Sequence, residues 1–413
     1  MKTLLYLPIL LLFASCADFS EATKEITVNI RLQLPEEITA TDALAGHTVT
    51  LTIGGQRMQA QTDAQGVATF SGIVPDIYDI SFAWQLSVSE YRQLTGRELT
   101  GGTSCTVSGS QNTCLLQNNG QTVMLPTLLS VNQDILISKI YYAGSAYEGT
   151  SRTYTAGQYM ELYNQSAAPI DVSGLYIALT ETDNPQAYTL DNLHEAYDDN
   201  MLVVKQIFQI PDTVPFMVQP GGTVLITNSA VDHSGVSQFE YDLRKADFEA
   251  KDSRARIQNN PDTPELPVVF CSYNNMTYIN FQNSGLMGVV IFRTDDDIIN
   301  DWPLVYAYGK ERGNMFKLLP KRYVIDGVEC LTNKAATGPD VSTKRLYNDI
   351  DAGYISINAT SGKSGEVVYR HTVRTAEDGR KILADTNNSS ADFQVSTTIK
   401  PRQYDAADGL NDK

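Results

Sequence analysis

The chain has 413 residues, 42% of them hydrophobic, enough to bury full cores in two or more domains. Its formal charge is −17, and so acidic a surface repels phosphate backbones, which excludes nucleic acid as a partner. A content of 28 Gly, 16 Pro and 22 Tyr suits a loop-rich β protein better than a helical one.

Residues 1–15 open with Lys2 and continue in an apolar run over 4–13. That run is too short to cross a bilayer as a helix and has the order of a secretory signal. Phe13, Ala14 and Ser15 precede Cys16, a succession that resembles the lipobox of bacterial lipoproteins. The resemblance implies cleavage after Ser15 and a diacylglycerol anchor on Cys16; ordinary signal-peptidase cleavage at the same place is the alternative. Acyl chains contribute about 0.8 kcal/mol per buried methylene, so two or three of them hold a protein on a membrane. Residues 16–25 form a polar tether with Asp18, Glu21 and Glu25. Acidic residues there resemble surface-export signals of bacteroidete lipoproteins, which leaves the cell surface and the periplasmic face of the outer membrane as the two expected locations.

With Cys16 carrying lipid, Cys105, Cys114, Cys271 and Cys330 remain, an even number in an oxidising compartment. Cys105 and Cys114 bracket the Gly/Ser/Asn-rich stretch TVSGSQNT, expected to be a loop stapled by a disulfide. A Cys271–Cys330 bridge is expected beside it, with two separate buried thiols as the alternative.

From Ile26 the apolar residues Ile26, Val28, Ile30, Leu32 and Leu34 alternate with polar ones, the pattern of a strand with one face buried. Val49, Leu51 and Ile53 repeat it and run into Gly54-Gly55, a tight-hairpin signal. Thr62-Asp63, Gly66, Phe70 and Pro75-Asp76-Ile77-Tyr78 resemble the repeating phrase of the transthyretin-like, carboxypeptidase-regulatory-type module, with Asp76 where that module has Gly. The resemblance covers residues 26–127 and implies a seven-stranded accessory or spacer sandwich. Trp84 is expected in its core.

A connector near 125–132 leads to the densest strand signal, in residues 135–179, where β-rich runs are separated by Gly, Ser, Asn and Pro. Glu161, Asn164, Asp171-Val172-Ser173-Gly174 and Pro220-Gly221 resemble the turn-building positions of the lamin-tail domain, an immunoglobulin-like β-sandwich. The expected fold class is therefore all-β, with a lamin-tail-like sandwich over 133–402, insertions at 183–205 and 232–267, and a flexible tail over 403–413. A helix is expected over 243–254 with Asp242 as its N-cap. Long insertions on sandwich loops are where binding specificity tends to reside; the alternative is that they cover exposed sheet edges. Asp232-His233, residues 245–249, Asp351-Ala352-Gly353-Tyr354 and residues 385–393 resemble an uncharacterised family of bacteroidete lipoproteins of about this length. That family implies companions of TonB-dependent outer-membrane uptake systems and assigns no catalytic residue.

Catalytic motifs are not found. Gly362-Lys363-Ser364 lacks the earlier glycine of a phosphate loop and reads as a hairpin turn over 361–365. His47, His194, His233 and His371 show no paired spacing. Asp295, Asp297, Asn300 and Asp301 offer oxygen ligands for calcium, as Asp198-Asp199-Asn200 does, without the spacing that wraps a loop around the ion. Calcium is thus the one cofactor in view, with a solvated acidic turn as the alternative. Asp212-Thr213-Val214 matches a bacteroidete O-glycosylation pattern at Thr213. Tyr141, Tyr142, Tyr147, Tyr154, Tyr159 and Tyr163 suit an interface, although alternation sends about half of them inward. The expected function is a membrane-anchored, non-catalytic protein that binds an outer-membrane receptor or a glycan or peptide ligand. A secreted carboxylate-dependent, glycan-directed hydrolase is the alternative, because sandwiches host both.

Overall fold

The computed structural model describes residues 24–39, 44–54, 56–96, 104–132, 134–183, 188–197 and 200–404. The expected signal segment, Cys16, Asp198-Asp199 and residues beyond 404 lie outside these. Two β-sandwiches follow one another. In the first, Ile26–Gln33 lies between Val67–Ile73 and, in parallel, Gln121–Pro126. Facing it is a five-stranded sheet in the order Gln56–Gln61, Thr48–Ile53, Asp76–Ser87, Ser104–Leu116, Leu128–Asn132. The alternating residues Val28, Ile30, Val49, Leu51, Ile80 and Phe82 fill the space between the sheets. Ile53 pairs with Gln56, the register of the tight hairpin that the glycines signal, and Gly54 has φ +54°; Gly55 lies outside the described residues. Trp84 is half-buried against this core and stacks on His47 with ring centroids 4.1 Å apart.

Three expectations change here. Among the described residues the sandwich has eight strands rather than seven, because Leu128–Asn132 pairs with the strand Ser104–Leu116 through Ser108↔Leu128 and Ser104↔Asn132, so the unit runs past 127 to at least 132. The stretch TVSGSQNT is no loop: it is the middle of one strand, with Cys105 and Cys114 near its two ends. Nine residue-to-residue steps of extended chain put the two about 30 Å apart, which no disulfide can bridge, and both are free and buried. A helix also appears at Val88–Thr95, with Ser87 and Glu90 forming a capping box and Gly96 in the left-handed conformation after it.

The second sandwich packs a six-stranded sheet on a seven-stranded one. The first has the order Phe248–Glu249, Thr223–Thr227, Tyr159–Asn164, Ile135–Tyr141, Val367–Arg370, Phe393–Ser396. The second runs Leu304–Tyr306, Met315–Pro320, Met201–Gln209, Tyr176–Thr180, Met287–Phe292, Val324–Cys330, with Val268–Cys271 also paired to Met201–Gln209. Ile137, Ile140, Leu162, Leu179, Phe208, Ile226, Val289 and Ile291 form the central layer. The outer faces are covered too. Leu193, Trp302, Leu346 and Tyr347 lie over the seven-stranded sheet, and Leu243, Ala246 and Ile399 over the six-stranded one. Strands buried on both faces read as continuous apolar runs, and Ile135–Tyr141 and Met287–Phe292 are buried at every position.

This double coverage corrects the tyrosine expectation: Tyr141, Tyr142, Tyr159 and Tyr163 are all buried, because both faces of their sheet are inside. Cys271 and Cys330 sit on strands separated by three others, and both are free thiols. The expected helix over 243–254 is a set of turns around Phe248–Glu249, which pairs in parallel with Ile226 and Thr227. Asp242 accepts from the Arg244 amide at 3.0 Å, and Asp252 from those of Arg254, Arg256 and Ile257; such local bonds compete with the helical ladder. Residues 361–365 form no hairpin. The amides of Lys363 and Gly365 instead donate to the carbonyls of Ala143 and Gly144. The expected tail starts too early, since Gln403 and Tyr404 are buried. Buried Lys139 is ion-paired to Glu161 at 3.0 Å and donates to the carbonyls of Lys400 and Gln403, while the Tyr404 hydroxyl donates to Glu161 at 3.1 Å. Glu161 therefore clasps the C-terminal segment rather than building a turn. Asn164 and Asp171 do build turns, accepting from the amides of Ser166 and Ser173 at 2.9 Å.

The two sandwiches meet through side-chain hydrogen bonds. Tyr354 donates to Asp79 at 3.1 Å, Thr106 to the Asp385 carbonyl at 3.3 Å and Arg57 to the Ser390 carbonyl at 3.0 Å, while Ser110 donates to the carbonyl of Ala352. On the second sandwich these groups come from residues 351–354 and 385–390, which Asp351 laces together by accepting from the Ser389 amide and hydroxyl. A methyl at Gly353 would overlap Asn388 Oδ1 and come within 2.8 Å of the Ser390 amide nitrogen. Gly353→Ala is accordingly expected to lower the unfolding free energy by about 1–3 kcal/mol, read from denaturant titration, and to expose the 385–393 loop to limited proteolysis.

Candidate functional site

A group of perturbed acid–base side chains lies where the strand Ile135–Tyr141 ends. Beyond it, Gly144 turns with φ +62°, and a Cβ there would overlap the Tyr154 carbonyl. The chain returns as the ribbon Ser145–Ala146 against Thr153–Tyr154. The start of the 232–267 insertion, closed by a bridge between Asp232 and Asp242, brings His233 and Glu240 against that ribbon. Glu240 Oε1 accepts from Ser145 Oγ at 2.6 Å and from the Tyr141 hydroxyl at 2.9 Å. His233 Nδ1 meets the Tyr154 hydroxyl at 2.5 Å and Nε2 the Ser229 carbonyl at 2.7 Å. A neutral ring that donates from Nε2 and accepts at Nδ1 satisfies both. Glu240 Oε2 is buried without a hydrogen-bond partner and lies against Gly157, where no side chain intervenes. Burial pushes the Glu240 carboxyl up to about 7, against its two hydrogen bonds. Burial also pushes His233 down and, with the Glu240 charge second, Tyr154 up to about 12. The group can therefore exchange one proton near neutrality at Glu240, and through its hydrogen bonds it clamps the insertion to the ribbon.

A second cluster lies at the 183–205 insertion. Thr180, Glu181, Tyr188, Leu193, Val203 and Arg345 line a cleft of about 170 Å³, counting space open to solvent, that is too narrow to admit a water. Arg345 is buried, donates from Nε to the Glu181 carbonyl and from Nη1 to that of Thr343, and keeps Nη2 without a partner. Lys205, on the same strand as Val203, is pushed down to about 8 by burial, against the opposing charges of Asp183 and Glu181, and its Nζ donates to Thr182 Oγ1 at 3.2 Å.

The residues singled out in the sequence are not brought together. Asp297 caps the short helix Ile298–Asp301, accepting from the amides of Ile299 and Asn300, and takes a further bond from Asn300 Nδ2. Asp301 accepts from the Asp297 amide, and neighbouring Asp296 accepts from the Trp302 indole. The expected calcium oxygens thus serve the turn's own donors, Asp295 standing beside them in sequence. Among the described residues no group of three or more His, Cys, Asp or Glu side chains is arranged to hold a metal ion. Thr213 is exposed in the loop before Met217–Val218. His194 stacks on Tyr347 and His371 Nδ1 meets the Asp392 carbonyl, each far in sequence from His233. Among the described residues no helix is long and apolar enough to cross a membrane. Glu240 carries no sequence motif; the only signal for it was its place inside the long 232–267 insertion.

The architecture defines a multi-sheet all-β protein of the β-sandwich type. Residues 219–400 match the model of a family described as a protein of unknown function, DUF4876. The crystal structure of a DUF4876 family protein from Bacteroides thetaiotaomicron VPI-5482 is similar over 89% of this chain and 94% of that one, at 20% identity and a TM-score of 0.55, a likeness of fold. A DUF3823 family protein from Parabacteroides merdae aligns over 38% of this chain and 66% of that one at 11% identity and a TM-score of 0.15, too low to bear on the fold. No curated protein matches the chain.

Proposed function

We infer that the protein is an outer-membrane lipoprotein, anchored at Cys16, whose first sandwich is a spacer and whose second presents loop-built surfaces to a partner. The partner class is an outer-membrane uptake receptor of the TonB-dependent kind, or the glycan or peptide that such a receptor takes up. The observation that carries this reading is the junction: Thr106, Ser110 and Arg57 donate to the second sandwich and Asp79 accepts from its Tyr354, which locks the first sandwich to the second. A short tether followed by a locked spacer holds the second sandwich at a set distance from the anchor. The lipobox-like residues before Cys16, the lamin-tail-like turns at Asn164 and Asp171, and the likeness to a Bacteroides protein support the same assignment. Thr213, exposed beside Val214 at 70% exposure, is an accessible acceptor for O-glycosylation.

The test is a pull-down from detergent-solubilised membranes with the native N-terminus in place, beside metabolic labelling with a palmitate analogue. Label on the wild type and none on Cys16→Ser, with a receptor co-purifying, is the expected result. Turnover of a glycan or peptide panel by the purified mature protein would overturn the non-catalytic part of the reading.

A further inference from the structure

The end of the first sandwich where the chain arrives carries an apolar patch. Ile26 pairs there with Ile73, and Thr27 bonds to Asn119 and Gly120, so residues 25–27, 71–77 and 115–120 share one end. Val74, Ile77 and Leu115 are 45%, 52% and 50% exposed. Ile77 and Leu115 are cross-strand partners, and the Tyr78 hydroxyl donates to the Val74 carbonyl at 2.7 Å, fixing the turn beside them. Tyr78 and Ile80 point into the core, so the alternation that buries them turns Ile77 outward. Farther along the same outer face the chain places Asp79 and Ser81 on one strand and Ser110, Ser108 and Thr106 on its neighbour. Leu128, 41% exposed beside Ser108, is a single apolar residue on that stretch, whereas Val74, Ile77 and Leu115 cluster at the end where the tether attaches.

The tether bounds what can cover this end. Residues 16–25 span at most about 35 Å when fully extended, and a slack chain of that length averages about 17 Å. On the anchor reading given above, on which this inference rests, the end bearing Ile26 therefore stays near the bilayer. We propose that Val74, Ile77 and Leu115 seat in the lipid interface, so that the bilayer surface itself is the partner of this patch and sets the orientation of the whole chain. Exposed Glu25 and Asp76 flank the patch, so the contact rests on apolar burial rather than on attraction to anionic headgroups, and added salt does not weaken it.

Environment-sensitive fluorophores on single cysteines test this in the full-length lipidated chain. Val74→Cys, Ile77→Cys and Leu115→Cys are compared with Ala64→Cys, all in a Cys271→Ser background that removes the half-buried thiol. Ala64 is exposed in the turn at the opposite end, whose Gly66 carbonyl accepts from Leu32, about 20 Å along the first strand. The protein is incorporated into phosphatidylethanolamine–phosphatidylglycerol vesicles that contain a spin-labelled quencher lipid. The expected result is loss of emission at positions 74, 77 and 115, unchanged emission at 64, and the same pattern at low and high salt. Protein that floats with the vesicles but keeps its emission at all three positions, or loses it equally at 64, overturns the proposal and leaves the anchor intact. Wild type that fails to float, behaving like Cys16→Ser, overturns the anchor reading and this inference with it.

Discussion

Arg370→Met is expected to lower the unfolding free energy by about 3–5 kcal/mol at neutral pH, because it strips the cation that pairs with three buried carboxylates. Arg370 is 1% exposed and ion-pairs with Asp326 at 2.9 Å, Asp392 at 3.1 Å and Asp385 at 3.3 Å. It also donates from Nε to the Ile137 carbonyl and from Nη1 to that of Ala384, and its guanidinium lies over the Phe393 ring. Burial pushes the carboxyls of Asp326 and Asp392 up, although Arg370 and the surrounding amides pull them down. Without the guanidinium that opposition weakens and both rise further. A carboxyl whose folded value lies above its unfolded one stabilises most at low pH and loses that contribution as pH rises through the folded value. The variant should therefore be most damaged at pH 7–8 and partly recover near pH 5, as read by urea denaturation across that range. Arg370→Lys restores the charge without the planar fork and should fall between the two. An equal loss at every pH would show that packing on Phe393, not charge, accounts for the effect. Asp385 and Asp392 are also the roots of the 385–392 loop that holds the first sandwich, so loosened docking should accompany the loss.

Glu240→Gln is expected to change the sign of its effect with pH. The Glu240 carboxyl is raised to about 7 from an ordinary 4.5. The folded chain therefore holds a proton there that the unfolded chain has released between those values. Wild-type stability from this group is fully present below about pH 4.5 and declines until about pH 7, by about 3 kcal/mol over the interval. Glutamine keeps an oxygen for the Ser145 and Tyr141 hydroxyls and cannot ionise. Relative to wild type it should be neutral or slightly destabilising at pH 5 and stabilising at pH 8. Parallel pH profiles for the two proteins would show that Glu240 carries no such shift. The same titration should move the clamp itself. Proteolysis of the 232–242 loop in wild type should quicken between pH 6 and pH 8, and in Glu240→Gln it should not.

How far the architecture was legible from residues differs between the two halves of the chain. In the first sandwich, Ile26 to Leu32 alternate strictly, since one face of that sheet meets the core and the other does not, and periodicity identifies strand and face together. The capping box Ser87–Glu90 was not read from the sequence, and the hydroxyl-rich strand after it, Ser104–Leu116, imitated a loop by composition. Its Thr106 and Ser110 bond to the second sandwich, an arrangement that no local rule supplies. In the second half, Ile135–Tyr141 is buried on both sides, so alternation gives no information about its faces. The apparent helix at 243–254 failed because Asp242 and Asp252 satisfy backbone amides locally.

The chemistry shows the same division. From the residues alone came the all-β class, the turn roles of Asn164 and Asp171, the Gly54 hairpin and the expectation that the long insertion at 232–267 matters, because each depends on neighbours within a few positions. Tertiary structure alone decided that Glu161 pairs with Lys139, that Glu240 meets Ser145 and Tyr141, that Arg370 gathers Asp326, Asp385 and Asp392, and that Cys105 and Cys114 stand apart. These are contacts, or separations, between side chains set by strand order and register. A carboxylate's environment is made by whatever the fold packs around it, and the sequence gives the group without its surroundings.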